Sequence, residues 1–477
     1  LLNTLAFKRS ETVELLIDLP EESGAKSLII RDQNGKEYEY QILSQTPRAL
    51  FVDNPWNVPQ AYLTKRFHIR MLSPEIPGLG YKVFTILGSK KPDRKSGSLF
   101  SSEKIMENDF LKLEADIDGT ISVLDKKNNT SYSKLLSLED GGEAGNAWRH
   151  IAPASDCVIC YPDSVRIQRV EDGPLCAKMK IDLNLKIPRD CSDPLERSKD
   201  LVDLSISHVV SLNKDSRRVD VATRFFNKAK DHRLRILFPT GFSDADSSFA
   251  DSHFDVVKRR IRLPDCDDWK EPVVGTYPFR SFVDVNDGKK GLAVLCEGLQ
   301  EYEVKQDQQR TIAITLLRAV RIKLEVSEER KQELPDTGPQ CPGSHEFRFA
   351  IYPHEGGWSD AHCPLEALKM NVPLLAAQFG KNKKGKLPDQ ASLFDLTNNN
   401  VQVSAVKKSE NGAGFIVRVY NPTAINQQTY LNLKSKTSRI YHVNLNEEII
   451  KEEKSTRKDR IRIILPPKKI KSYLFIE

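Results

Sequence analysis

Hydrophobic residues in this chain recur with a period of two rather than 3.6. Met179, Ile181, Leu183, Leu185 and Ile187 alternate with Lys180, Asp182, Asn184 and Lys186, a spacing that gives an extended strand one apolar and one wet face. Segments 13–19, 37–43, 65–72, 81–87, 165–170, 201–212, 219–225, 415–419 and 473–476 are rich in β-branched and aromatic residues, and each predicts a strand. Between them stand Asn34-Gly35, Asp118-Gly119, Asp172-Gly173, Asp287-Gly288 and Asn411-Gly412, pairs that take positive φ at little cost and so predict tight turns. Helical periodicity is confined to 364–370, where Pro364 follows Ser359 and Asp360 at a position suited to a first helical turn. No alternation of strand and helix appears, which excludes doubly wound sheets and complete β/α barrels. The expected fold class is all-β.

Two polar stretches look like seams: 88–104, rich in Lys, Ser, Gly and Pro, and 378–390, which carries the basic run 380–386. They predict a small β-sandwich over 1–90, a large unit over 105–372 and a second small β-sandwich over 385–477, matching the roughly three domains expected from 477 residues. The middle unit far exceeds the roughly 100 residues of an immunoglobulin-like sandwich. It is expected to be one continuous two-layer super-sandwich of galactose-mutarotase-like kind.

Composition narrows the function classes. Hydrophobic residues at 39% and charged residues at 29% are those of a packed globular protein, not a disordered one. The 72 Lys and Arg are interspersed with 66 Asp and Glu, so the stripe that nucleic acid would need is missing and no nucleic-acid partner is expected. No apolar run approaches the roughly 20 residues of a membrane helix, and no signal-peptide pattern opens the chain; no membrane partner is expected, and the expected location is cytoplasmic. The chain starts at Leu1 without an initiator Met and reads like the middle of a longer sequence. Of eight Cys only Cys157 and Cys160 are close, and without a second pair they predict idle or buried thiols rather than a metal or redox site.

Candidate chemistry is sparse. There is no G-x-S-x-G elbow, phosphate-binding glycine loop or H-E-x-x-H. His253 and Asp255 would share a strand face as two ligands, but no further ligands accompany them; His345, His354 and His362 crowd one segment at no recognisable ligand spacing. Asp231 and His232 are adjacent, hence on opposite strand faces, and mark a polar turn before the buried strand at 236–238. The loop 140–150 is the richest in polar and aromatic groups. Its three glycines permit tight backbone geometry, while Trp148, Asn146, Asp140 and Glu143 offer the stacking face and hydrogen-bonding groups that sugars need. It can equally be an acidic surface turn whose Trp fills the core.

At this loop a resemblance joins the residues. Asn3-Thr4-Leu5 with Arg9-Ser10-Glu11, Glu107-Asn108 before Asp118-Gly119-Thr120-Ile121, Asp231-His232-Arg233-Leu234-Arg235, and Gly291-Leu292-Ala293-Val294 leading to Gly298-Leu299-Gln300-Glu301-Tyr302 occur in order. Thr315-Leu316-Leu317-Arg318-Ala319, then Gln340-Cys341 with Gly343, His345, Phe347 and Pro353-His354, then Val417-Arg418-Val419-Tyr420-Asn421-Pro422 follow them. Together these phrases resemble the C-terminal β half of glycoside hydrolase family 38 α-mannosidases, of the bacterial kind that includes mannosylglycerate hydrolases.

The resemblance implies a retaining, zinc-dependent α-mannosidase whose zinc-binding barrel and helical bundle lie outside this chain. In that family two His and two Asp hold the zinc, one of those Asp is the nucleophile, and a second carboxyl serves as acid and base. The chain itself is then expected to hold no catalytic residue and no metal, and to be inactive alone. Its expected partners are the barrel and bundle of the same enzyme, an α-mannoside at the rim of the pocket, and further copies of itself. Trp148 is expected to stack on sugar, Asn146 and Asp140 to contact hydroxyls, and Arg318 either to orient sugar or to join a structural ion pair. Trp148 and Glu143 depart from the Tyr and Asp frequent in relatives, which implies a changed aglycone preference. Two rivals stand beside this reading: an autonomous carbohydrate-binding β-sandwich protein without catalysis, and an aldose-epimerase-like enzyme, for which no converging His and carboxylate can be paired from sequence. A far-ultraviolet circular dichroism spectrum is expected to report more than about 40% strand and less than about 10% helix.

Overall fold

Met179, Ile181, Leu183, Leu185 and Ile187 are all buried, and the polar residues between them face outward. Their strand, Cys176–Pro188, pairs antiparallel with Leu201–Asn213 from end to end. The two belong to a nine-stranded sheet in the order Ser164–Glu171, Cys176–Pro188, Leu201–Asn213, Val219–Asn227, Gly343–Glu355, Lys290–Glu297, Phe282–Asn286, Ser247–Ser252 and Asp255–Arg260. The computed structural model describes the chain except residues 54, 94–95, 192–194, 267–268, 271–272, 325–331, 334–337, 381–383, 435–438, 454–459 and 477. Strand accounts for 54% and helix for 3%, so the all-β expectation holds.

Two five-stranded sheets close over the inner face of the nine. One runs Thr130–Leu135, Ile121–Asp125, Leu111–Ala115, Ile105–Glu107, Phe100–Ser102; the other runs Ser137–Gly142, His232–Phe238, Ile312–Arg318, Glu301–Val304, Thr276–Pro278. Leu113 and Val123 from the first, Ile236 and Ile314 from the second, and Val210, Val294 and Phe349 from the large sheet share one core. On the sheet's outer face Phe282, Ala293, Leu295, Ala350 and Tyr352 pack against Cys363 and Ala367. Those two belong to the helix Cys363–Asn371, and their spacing of four residues places both on one helical face.

Separate cores form at the two ends of the chain. Near the start, Thr12–Pro20, Gln60–Leu72 and Tyr40–Val52 make one sheet and Ser27–Arg31 pairs with Thr85–Ser89, around Ile30, Phe67, Ile69 and Met71. Near the finish, three- and five-stranded sheets enclose Phe394, Val417, Ile463 and Phe475. The two ends are joined directly. Gly80–Lys82 lies between Leu2–Asn3 and Gln390–Ser392 in a three-stranded sheet, and Ala6 and Leu79 pack into the C-terminal core. Asn3, fully buried, donates from its amide to the carbonyls of Phe7, Ile76 and Pro77 and accepts from Leu5 N, pinning the first turn of chain onto this junction.

Several expectations change in detail. The strand expected at 81–87 is two strands, Gly80–Lys82 and Thr85–Ser89, serving different sheets. The strands expected at 37–43 and 65–72 run as Tyr40–Val52 and Gln60–Leu72, and their far halves escaped notice because both faces there are exposed and carry no alternation. Gly35, Gly119, Gly288 and Gly412 have positive φ. Gly173 does not; there a Cβ would fall 2.2 Å from the Gln41 side chain, so close approach demands glycine. Of the basic run at 380–386, residues 381–383 lie outside the described residues.

A Cβ at Gly80 would stand 2.2 Å from the carbonyl oxygen of Ala391. Gly80→Ala is therefore expected to break the pairing of Gly80–Lys82 with Gln390–Ser392, read as faster amide exchange at 390–392 while the core around Val210 and Phe349 keeps its protection.

Candidate functional site

The loop that follows Ser137–Gly142 is built around one carboxylate. Strand order places Gly142 opposite His232 and Arg233 opposite Arg318, so the residue after Gly142 emerges two strands from Arg318. Glu143 is buried; its Oε2 accepts from Arg318 Nε at 2.6 Å and meets His150 Nδ1 at 2.7 Å, and its Oε1 accepts from Gly145 N and Ile151 N. Arg318 also donates to the carbonyls of Asn146 and Ala147. The chain closes further through Ala144 N to Ile151 O and Asn146 N to Arg149 O. Gly145 is required at the centre, where a Cβ would lie 2.2 Å from Arg149 O.

This packing leaves Trp148 at the tip, 81% exposed. Asn146 Oδ1 accepts the amides of Trp148 and Arg149, each at 3.0 Å, which shapes the turn that carries the indole. Trp148 thus does not fill the core, contrary to the surface-turn expectation. Ile151, Val158, Tyr161 and Leu195 are also exposed nearby in sequence or pairing; Ser155 N donates to Leu195 O, and Ile159 bridges Asp140.

Asp140 is not at the surface. It follows core residue Leu138 by two and so shares its inward face. Its carboxylate is fully buried, with Oδ2 at 2.6 Å from His232 Nδ1 and Oδ1 bonded to Arg197 Nη2. Arg197 Nη1 reaches the carbonyls of Asp140 and Cys157, and His232 Nε2 meets Asn227 Oδ1. The expected hydroxyl contact from Asp140 is corrected: no sugar can reach an acid sealed between Arg197 and His232, and its work is to fix the strand below the loop. Arg318 sits in the structural ion pair with Glu143, one of its two expected roles.

The remaining candidates do not converge. His253 is exposed in a turn, and Asp255 pairs with Lys468 instead. His345 stacks with Phe225 and Phe347, His354 is buried against Asp284, and His362 precedes the helix and meets Asn400. Asp231 bonds Gln340, while its neighbour His232 pairs with Asp140 across the sheet. Cys157 and Cys160 are free thiols. Sequence reading missed Glu143 as the loop's hub, together with His150 and Arg197. It also missed Arg233, which stands opposite Arg318 beneath the loop and whose guanidinium burial, with Arg235 nearby, pushes down to about 10.

Comparison with known proteins places this geometry. The model of the glycosyl hydrolases family 38 C-terminal domain matches residues 106–324, and that of the family 38 C-terminal beta sandwich domain matches 400–473. A putative mannosylglycerate hydrolase of Halalkalibacterium halodurans is 30% identical over 338 residues, 67% of this chain and 36% of that protein. Alpha-mannosidase G of Dictyostelium discoideum is 28% identical over 140 residues, 28% of this chain and 12% of that protein. The crystal structure of an alpha-mannosidase from Enterococcus faecalis V583 aligns with all of this chain and 55% of its own, with a TM-score of 0.86 and 24% identity. The chain thus spans little more than a third of the mannosylglycerate hydrolase and about half of the bacterial mannosidase.

Burial raises the Glu143 carboxyl, but hydrogen bonds and charge from His150 and Arg318 outweigh it and hold the group below its ordinary value of 4.5. A depressed folded value makes the loop's stabilisation complete above that ordinary value and progressively lost as pH falls through the folded one. Trp148 fluorescence is accordingly expected to report loosening of the loop only on acidification below about 4.5. Glu143→Gln is expected to cost about 1.5–3 kcal/mol of loop stability and to abolish that acid transition.

Proposed function

Because the chain carries the C-terminal domains of glycosyl hydrolases family 38, we propose that it is the noncatalytic β portion of a retaining, zinc-dependent α-mannosidase. The catalytic barrel and helical bundle belong to the part of the enzyme outside this chain, which acts on α-mannosides in the cytoplasm. Trp148 carries the reading: an indole held out by a loop whose every turn is tied to Glu143 or Arg318 is a prepared stacking surface. Asn146 shapes that surface through its Oδ1 and offers its side-chain amide at the rim.

Zinc in the barrel would polarise and orient mannose hydroxyls. The loop residues do not fit that ion, because the Glu143 oxygens are taken by Arg318, His150 and two backbone amides, and those of Asp140 by Arg197 and His232. What this chain does in the reaction is present an aromatic platform and exclude water at one side of the pocket. Exposed Ile151, Val158, Tyr161 and Leu195 offer apolar side chains that suit contact with the barrel or with a second copy.

An autonomous carbohydrate-binding protein is the second reading, and the same exposed Trp148 favours it. Kinetics with aryl α-mannosides separate the two. The chain alone is expected to give no turnover, while in the full-length enzyme Trp148→Ala lowers kcat/KM by about tenfold, the loss of one stacking contact of about 1–1.5 kcal/mol. Turnover by the chain alone overturns the placement of the catalytic machinery; an unchanged kcat/KM overturns the rim role. Mannoside binding by the isolated chain that Trp148→Ala abolishes would favour the second reading.

A further inference from the structure

Away from the loop, three ligand-bearing side chains meet in the core. Asp284 lies on Phe282–Asn286, His354 on Gly343–Glu355 and Cys363 at the first position of the helix. All three are buried, and their ligand atoms lie within 4.8 Å of one another. They meet because of strand parity and one glycine. Asp284 shares the outward face of Phe282, and His354 that of Tyr352, so both point at the helix. Gly291, on the strand between theirs, is paired with His354 and with Asn286; a Cβ there would fall 2.4 Å from the imidazole Cε1, and its absence lets the ring cross the strand to reach Asp284.

We infer that Asp284, His354 and Cys363 form a buried site for one divalent cation of the zinc class, clamped between the outer face of the nine-stranded sheet and the helix. The donor set supports this choice: thiolate, imidazole and carboxylate together suit zinc, whereas calcium and magnesium take oxygen ligands. The surroundings are those of metal ligands. His354 turns Nε2 toward Asp284 Oδ1 at 2.8 Å and Nδ1 toward Glu355 O at 3.4 Å, while the other Asp284 oxygen accepts from Asn286. A ligating histidine whose second nitrogen faces a carbonyl, beside a ligating carboxylate that is itself hydrogen-bonded, is the usual second layer of such sites.

Imidazole and thiol bind such an ion only through unprotonated atoms, so any proton on His354 Nε2 or Cys363 Sγ leaves to solvent as the ion binds. Donor atoms of a tetrahedral zinc site sit about 3.2–3.8 Å apart, given bonds of about 2.0–2.3 Å; His354 Nε2 and Asp284 Oδ1, at 2.8 Å, would part by on the order of 0.5 Å to admit the ion, with the Cys363 sulfur within 4.8 Å of both. Because the cluster is sealed, the ion enters as the helix packs onto the sheet during folding. The site departs from the expectation that this chain alone holds no metal, and it is independent of the function proposed above.

The test is to unfold residues 1–477 in denaturant with EDTA, refold with zinc chloride, desalt and measure bound metal. About one zinc per chain is expected to be retained. Cobalt refolding is expected to give a thiolate-to-metal absorption band that Cys363→Ser removes. His354→Gln and Asp284→Asn should each lower retained zinc to below about a tenth of an equivalent, whereas the double variant Cys157→Ser, Cys160→Ser keeps it. If Cys363→Ser fails to refold, His354→Gln provides the same reading through loss of both zinc and the cobalt band. The inference is overturned if folded wild type retains less than about a tenth of an equivalent with an unchanged Tm, or if His354→Gln and Asp284→Asn bind as much zinc as wild type.

Discussion

Burial of one face of each strand in the nine-stranded sheet is the constraint on which the rest depends. Met179, Ile181, Leu183, Leu185, Ile187, Val210, Val294 and Phe349 are removed from water by two further sheets that share their core, and apolar area withdrawn at about 25 cal/mol per Å2 is the dominant favourable term in folding. Period-two chemistry leaves no freedom in register, because a one-residue slip would turn every one of these side chains outward. Once register is set, the positions of the polar residues between them are set as well.

That fixed register explains how charged groups come to be sealed inside. Asp140 shares the inner face of Leu138, and His354 the outer face of Tyr352 beneath the helix, so each is buried by its neighbours rather than by its own preference. An isolated buried charge is expensive and is tolerated only when paired. Asp140 is accordingly met by Arg197 and His232, and His354 by Asp284. Glu143 follows the same logic at the edge of the sandwich, where one carboxylate organises nine residues of loop and leaves a single large aromatic outside. The rigidity of the loop and the exposure of Trp148 are two sides of one arrangement.

The smaller units are not beads on a string. The opening residues are stitched to the end of the chain through Asn3, Gly80 and Ala391, and Arg9 donates to Val372 O at 2.6 Å beside the helix. The helix presses Cys363 and Ala367 against the large sheet and sits where the opening strands meet it.

Local chemistry records the class of fold, the strands of clearest alternation and the positive φ of Gly35, Gly119, Gly288 and Gly412. Alternation from Met179 to Ile187 needs only local chemistry to be read, and so does Pro364 at the start of the helix. It also marked 140–150 as unusual, through its glycines and Trp148, and the ordered phrases from Asn3 to Pro422 pointed to the family. The inward turn of Asp140 is legible too, since it stands two residues beyond Leu138 on one strand. Partners are set by the order of strands in the sheets. Glu143 and Arg318 are 175 residues apart, and Asp140 and His232 are 92 apart; no local pattern records which strand will lie beside which. The cluster of Asp284, His354 and Cys363 depends on a bare Gly291 in the strand between the first two and on a helix packed above them. Periodicity tells each residue which face it occupies, but only the order of strands in the sheet tells it whom it faces.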